Sequence, residues 1–346
     1  MRRGTRWLLA ATVLASSPAA AETATVMAYS DGPFQDNYTT AVLTPFNAQG
    51  GGSQAEFHGS GSSATMLGEL RTQKTSPQTD VVIMDTTTAA IACAEGLIEK
   101  ITPEMLPELA DLDPQAKDEN GCGPAVTFDH FIIAYDAKAV SPAPTSLLEL
   151  KDPKWKGRVG LSAPPNIQGL AMTAILAQAE SGDWHKGDKA FDTLRQMAPN
   201  VQSFDPQPDG YTLILNNTLT FATGWNARAQ LFHDKSQGRI GVMLPSEGTA
   251  LQLNMINLVK GAPHRAAALA FMRYALSPVA QKSFTERMFY GPTNMKAQIS
   301  PEAAARTSAG AEVKAKIIPV DWNAMVKLRD AWTQRWRREV ISAGGR

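Results

Sequence analysis

Three times between residues 23 and 96 an apolar run gives way to a polar turn and then to a helix-forming stretch, and this repetition limits the fold more than any other feature of the chain. Thr23-Ala24-Thr25-Val26-Met27-Ala28-Tyr29 reads as a strand, followed by the loop Ser30-Asp31-Gly32-Pro33-Phe34 and a helix through Leu43 and Phe46. Ala55-Glu56-Phe57-His58 is a second strand; it runs into Gly59-Ser60-Gly61-Ser62-Ser63, with a helix starting near Ala64. Asp80-Val81-Val82-Ile83-Met84 is continuously apolar after its first residue, as in a parallel strand covered on both faces. Asp85-Thr86-Thr87-Thr88 then caps a helix that carries Ile91 and stops at Gly96. Strand and helix alternating in this way predict an α/β fold with a parallel sheet, and in such sheets a ligand sits on the loops at the carboxyl ends of the strands.

A second series follows. Phe131-Ile132-Ile133-Ala134-Tyr135 is a strand, and Ser141-Pro142-Ala143-Pro144 is turn-rich. Val159-Gly160-Leu161-Ser162 leads through Ala163-Pro164-Pro165-Asn166 into a helix with Met172, Ile175 and Leu176. Thr218 to Thr223 leads through Gly224-Trp225-Asn226 into another helix, and Ile240 to Leu244 and Met255 to Val259 are late strands. From Asp321 to Val340 the apolar residues Leu328, Trp332 and Trp336 recur on one side of a helix, which marks a packing stripe rather than a ligand cage. A chain of 346 residues exceeds what one hydrophobic core accommodates, so two domains are expected.

The amino terminus carries Arg2, Arg3 and Arg6, then the short apolar run Trp7 to Ala15, then Ala19-Ala20-Ala21. This is the pattern of a secretory signal cleaved near Ala21; the apolar run is too short to span a bilayer, and no cysteine follows it to carry a lipid. A free periplasmic protein is the expectation. Lys and Arg together number 33, as do Asp and Glu, so the chain lacks the basic excess of a nucleic-acid binder. In an oxidising compartment the pair Cys93 and Cys122 is expected to be bridged, which would add about 3.5 kcal/mol in the chain-entropy model; two buried thiols are the alternative.

Chemistry-bearing segments are few. Gly59-Ser60-Gly61-Ser62-Ser63 joins hydroxyls to a helix N-terminus, which suits a carboxylate or phosphoryl group, although Ser62 or Ser63 also serves as an ordinary cap. No Lys-Ser/Thr follows at phosphate-loop spacing, and the segment is not a nucleophile elbow. In Gly224-Trp225-Asn226-Ala227-Arg228, Trp225 offers an apolar wall, Asn226 a donor and an acceptor, and Arg228 a fork for a carboxylate; the alternative places Trp225 in the core and Arg228 in water. The histidines His58, His130, His185, His233 and His264 are scattered, with no metal-ligand spacing. No catalytic group, metal or cofactor is expected.

Taken in order, several stretches resemble the spermidine/putrescine-binding family of type II periplasmic solute-binding proteins. They are Ser62 to Leu70, Asp80 to Met84 continuing to Glu95 through Ile101, Gly224-Trp225-Asn226, Leu244 to Gly248, Ala268 to Met272, Leu276-Ser277-Pro278 and Tyr290-Gly291-Pro292-Thr293-Asn294. The resemblance spans nearly the whole chain after the leader. It implies two α/β lobes, one of residues 22–131 and 257–346, the other of 135–250, with a hinge near 131–135 and 251–257 that closes over ligand. It also implies a monomer that docks transiently on the membrane permease of an ABC importer, with no enzymatic activity and no nucleic-acid partner.

The pocket positions depart from the polyamine pattern. Gln252 and Asn254 stand where the family has an aromatic and an aspartate, Thr87 where it has a tyrosine, and Ala163, Pro164, Asn166 and Gln168 where it has acidic residues. Burying a polycation without paired charge costs several kcal/mol, so the expected ligand is a small solute with an anionic group, zwitterionic if Asp31 or Asp85 holds a cation. The expected ligand set is Ser30, Asp31, Phe34, Ser60, Ser62, Ser63, Asp85, Thr86, Thr87, Asn166, Gln168, Trp225, Asn226, Arg228, Gln252 and Asn254. A polyamine is the alternative ligand; a periplasmic enzyme and a carrier for a chemoreceptor are the alternative roles.

Overall fold

The computed structural model describes residues 22–30 and 32–344. The leader with its cleavage point near Ala21 and the candidate Asp31 lie outside the described residues. Among the described residues ten strands are formed: β1 (Glu22–Tyr29), β2 (Ser53–Ser60), β3 (Val81–Asp85), β4 (Ala125–Asp136), β5 (Val159–Gly160), β6 (Val201–Ser203), β7 (Phe221–Trp225), β8 (Ile240–Met243), β9 (Thr249–Leu258) and β10 (Ile317–Ile318). Their order is β2-β1-β3-β9-β4-β7-β5-β6, with β8 beside β4 and β10 beside β9. β1 runs parallel to β2 and β3, and β5 parallel to β6 and β7, as expected where helices cross over between strands. The antiparallel pairs all involve β4 or β9. This is the α/β class that the strand–helix alternation predicts.

β4 is the strand on which the arrangement turns. Its first half pairs with β9 from Ala125↔Met255 to His130↔Leu251. Its second half pairs with β7 from Phe131↔Trp225 to Tyr135↔Phe221, and on its other edge with β8. One strand thus belongs to two sheets and changes partner between His130 and Phe131. The sequence reading stopped at Phe131 because Thr127, Asp129 and His130 interrupt the apolar run; all three are nevertheless buried.

Among the described residues the hydrophobic interior forms three clusters, one around the first sheet and two on the second, the last of them gathering Ile132, Tyr211, Ile214 and Ile240. One cluster gathers the residues around β1, β3 and β9 with Phe271, Met272 and Phe284 from the helices Arg265–Ala275 and Pro278–Met288. A second gathers Phe131, Val159, Leu170, Ile175, Phe191 and Phe221. The C-terminal helix Trp322–Arg335 and the turns after it pack on this second cluster through Trp322, Met325, Trp332, Trp336 and Val340, and the helix also lies against the Thr86–Ala94 helix beside the first. The stripe finds its apolar face in the second cluster: Trp332 lies edge-on to Phe191 at 6.3 Å, and Trp336 bonds Thr173 of the long buried helix Ile167–Ser181. Cys93 and Cys122 are bonded, joining the end of the helix Thr86–Ala94 to the segment before β4. Among the described residues no helix is long and apolar enough to cross a membrane.

Candidate ligand-binding site

The carboxyl ends of β1 and β3 carry Tyr29 and Asp85, and the helix that follows β2 begins at Ser63. The Asp85 backbone N–H donates to Ser63 Oγ at 3.0 Å, and Ser63 Oγ lies 2.9 Å from the Tyr29 hydroxyl. Tyr29 donates to Asn254 Oδ1 at 3.2 Å, and Asn254 Nδ2 donates to Thr127 Oγ1 at 2.9 Å. A continuous hydrogen-bond chain therefore ties β3, the Ser63–Thr72 helix, β1, β9 and β4 together at one end of the first sheet. Strand alternation puts Gln252 and Asn254 of β9 on the same face as Thr127 and Asp129 of β4, since these are register pairs. The groups in the chain are neutral; each polarises the next.

The turn from β7 into the helix Asn226–Lys235 adjoins this face. The helix has no cap from its own N-cap residue, Trp225. Instead the Asp129 carboxylate, from β4, accepts from Ala227 N–H at 3.1 and 3.3 Å and from His130 N–H at 2.8 Å. The Tyr211 hydroxyl donates to the Trp225 carbonyl and accepts from the Trp225 N–H, both at 3.0 Å. That double contact needs a glycine beside it, because a Cβ on Gly224 would lie 2.4 Å from the Tyr211 hydroxyl oxygen. Trp225 is half-buried, its ring edge-on to Phe131 at 6.2 Å, and Arg228 is half-buried close enough for its charge to act on Asp129.

Several expected ligand residues are otherwise engaged. The Asp85 carboxylate accepts from the Thr87 hydroxyl at 2.6 Å, the Thr88 N–H at 3.0 Å and the Thr88 hydroxyl at 2.9 Å, so both its oxygens are engaged in capping its own helix. Thr87 is buried in that cap. Asn226 turns away from the site; its amide donates to the carbonyls of Arg306 at 2.8 Å and Phe289 at 3.4 Å, and its oxygen accepts from Gln230. Phe34 lies in an aromatic core, stacked on Tyr38 and edge-on to Phe284, Tyr290 and Tyr29. Ser60 donates to Glu69, which also bonds His58; with the carboxylate in the middle, His58 has no access to the Ser60 proton, so the three do not form a nucleophile–base pair. Ser62 and Asn166 cap their helices through Thr65 and Gln168 N–H and stay exposed, as does Ser30. Gln168 keeps a buried Oε1 with no partner. Thr86 bonds the Leu253 carbonyl and lines the reverse face.

On that reverse face Phe128, Leu251, Leu253 and Met255 line a cavity of ≈1130 Å³ against the C-terminal segment. The polar chain and the 225–228 turn lie on the other side of the same two strands, so the cavity does not mark the site. Cys93, Cys122 and Asp118 come within ligating distance of one another, but the two sulfurs are bonded together and hold no metal in that state.

The sequence reading missed Tyr29, Thr127 and Asp129 as site residues. A signal existed: Thr127 and Asp129 alternate with Phe128 just before the apolar run, the period of a strand with one polar face. Burial pushes the Asp129 carboxyl up to about 7, against the opposing pull of the Ala227 and His130 N–H groups and the Arg228 charge. Burial pushes His130 down to about 3. The signs oppose. A carboxyl raised on folding adds stability at low pH that is lost as pH rises toward 7; an imidazole lowered on folding adds stability above about pH 6.5 that is lost as pH falls toward 3. Asp129→Asn is therefore expected to leave a protein whose melting temperature falls on acidification below about pH 6.5, and His130→Gln one whose melting temperature falls as pH rises from about 4 to 7. Melting curves against pH check both; parallel curves for the two variants would refute the assignment.

Residues 41–315 match the family model for bacterial extracellular solute-binding proteins, and the chain belongs to that family. It is 25% identical over 262 residues to the gamma-aminobutyric acid-binding protein of Pseudomonas aeruginosa, covering 73% of this chain and 72% of that one. It is 24% identical over 253 residues to the spermidine/putrescine-binding periplasmic protein of Escherichia coli, covering 70% and 72%. Among solved structures, an ABC transporter substrate-binding protein from Bradyrhizobium japonicum superposes with a TM-score of 0.78 at 22% identity, over 91% of this chain and 99% of that one. The fold is that of the two-lobed type II periplasmic solute-binding proteins.

Proposed function

We propose that the chain is the solute-capturing component of an ABC importer, exported to the periplasm, and that it takes a small polar solute with an anionic group, such as a short ω-amino acid. The lobes are the two sheets, and the hinge is the stretch of β4 and β9 where strand pairing passes from one sheet to the other. Closure brings the second sheet, with the loop at Asn166 and Gln168, onto solute held by the hydrogen-bond chain and the Trp225–Arg228 turn, and contacts made only in that state shift the population toward it. The permease then recognises the closed form. The role is binding without catalysis.

The observation that carries this reading is the composition of the polar face. Its hydrogen-bond chain of Ser63, Tyr29, Asn254 and Thr127 is neutral, Asp85 is consumed as a helix cap, and Arg228 stands at the adjoining turn. Among the described residues such a surface satisfies a carboxylate and leaves a di-ammonium chain with little to pair against. A relative that is a gamma-aminobutyric acid-binding protein supports the same ligand class.

Titration calorimetry with γ-aminobutyrate, other short amino acids, simple carboxylates, phosphonates and putrescine tests this. Binding of a carboxylate- or phosphonate-bearing solute is expected, and putrescine is expected to give no heat. Tight putrescine binding with no response to anionic solutes would refute the proposal and favour the polyamine reading. Arg228→Ala is expected to weaken the bound anionic solute by roughly 2 kcal/mol, about thirtyfold, the scale of a lost charge-assisted contact. Unchanged affinity would remove Arg228 from the site.

A further inference from the structure

The turn that presents Trp225 and Arg228 is a short connection, yet it is held from three sides. Tyr211 pins the Trp225 backbone, the Asn226 amide is anchored to the Phe289 and Arg306 carbonyls, and Asp129 takes the Ala227 N–H. The Tyr211 contact comes from within the second sheet's own surroundings, whereas Asp129 belongs to the half of β4 that pairs with β9 in the first sheet. It sits one residue before β4 changes partner. Ala227 is packed in the first hydrophobic cluster, while Trp225, two residues earlier, leans on the second.

We propose that Asp129 is a positioning residue for ligand recognition: its carboxylate holds the first turn of the Asn226–Lys235 helix against the hinge strand and so fixes where Trp225 and Arg228 stand relative to the first sheet. This rests on the reading that the 225–228 turn contacts solute. A hydrogen bond placed at the point where the strand switches sheets moves least when the lobes rotate, so the turn keeps its place in both open and closed forms. The carboxylate also occupies the helix N-terminus with an internal anion. A solute's anionic group is then directed to Arg228 and not to the free N–H groups of that helix. Asp129 is faced by Arg228 from the helix, by the Tyr211 hydroxyl, by Gln252 across the strand pair and by His130 beside it on β4.

Amide hydrogen exchange on the ligand-free mature protein tests the proposal. Asp129→Ala removes the acceptor of the Ala227 N–H, and exchange at Ala227 is expected to rise at least ~tenfold while exchange at Ile83, deep in the first sheet, stays unchanged. Unaltered exchange at Ala227, or equal acceleration at both sites, would overturn it. A second measurement needs no Asp129 variant: fluorine NMR of 5-fluorotryptophan-labelled wild type, with the Trp225 resonance assigned from Trp225→Phe. That resonance is expected to titrate with a midpoint near 7 as Asp129 ionises, while the resonance of the buried Trp336 stays flat. A wild-type Ala227 amide that exchanges as fast as an unprotected one overturns the proposal even if the Asp129 variant does not fold. Both readouts are taken without solute, so a failure to bind amino acids would leave this result standing, and the reverse also holds.

Discussion

Trp336→Ala is expected to lower stability by about 4 kcal/mol, within the range for removing a large aromatic side chain from a core. Trp336 is fully buried in the second cluster, its ring edge-on to Phe204 at 6.3 Å, and its Nε1–H donates to Thr173 Oγ1 at 2.9 Å. Thr173 sits on the Ile167–Ser181 helix and also donates to the Gly169 carbonyl, so its hydroxyl remains bonded after the substitution. The loss is therefore chiefly a cavity and transfer cost, not an orphaned polar group. The melting temperature should fall on the order of 10 °C, and exchange in β5–β7 should accelerate before that in β1–β3, because the tryptophan belongs to the second cluster. A loss below about 1 kcal/mol, or earliest opening in the first sheet, would show that the C-terminal helix is not part of that core.

The second large effect concerns the bridge between Cys93 and Cys122, which are 29 residues apart in sequence. Replacing both by serine is expected to cost about 3.5 kcal/mol, chiefly by releasing loop-closure entropy in the unfolded chain. The bridge ties the end of the Thr86–Ala94 helix, whose first turn holds the Asp85 cap, to the segment that enters β4. Chemical denaturation with and without reductant checks it: the wild-type midpoint should fall on reduction to that of the double serine variant. Coincident wild-type curves under the two conditions would mean that the thiols are not linked in solution. Solute affinity measured on the same samples reports whether the tie also matters to the site.

Much of this was legible from local patterns. The three strand–turn–helix units are set by residue types whose effect acts within a few positions: continuous apolar runs at 81–84, hydroxyl and Asp caps at Ser62 and Asp85, and Gly96, which has φ of +68° where the helix stops. The order of these units, kept along the chain, was enough to indicate the family that the match over residues 41–315 shows. Asp85 illustrates the limit of such reading. The same aspartate was legible as a helix cap and as a candidate anion for ligand, and sequence offers no way to count its hydrogen bonds. The structure uses both of its oxygens in the cap.

Asn226 and Asp129 fail in opposite directions for one reason. Asn226 has the chemistry of a ligand residue, but its partners are backbone carbonyls 63 and 80 residues further on. Asp129 lies between Phe128 and His130, and its alternation with Phe128 marks a polar strand face but not a partner; it reaches a helix that begins 97 residues later, at Asn226. By itself the sequence determined the α/β class, the two-series organisation and the positions of most strands and caps, because periodicity and capping are properties of neighbouring residues. Only the tertiary structure decided that β4 serves both sheets, that the C-terminal tryptophans complete the second core, and which polar groups are already spent. Those outcomes depend on contacts between segments far apart in the chain, where the demand that every buried donor and acceptor find a partner is met by whatever the fold brings near.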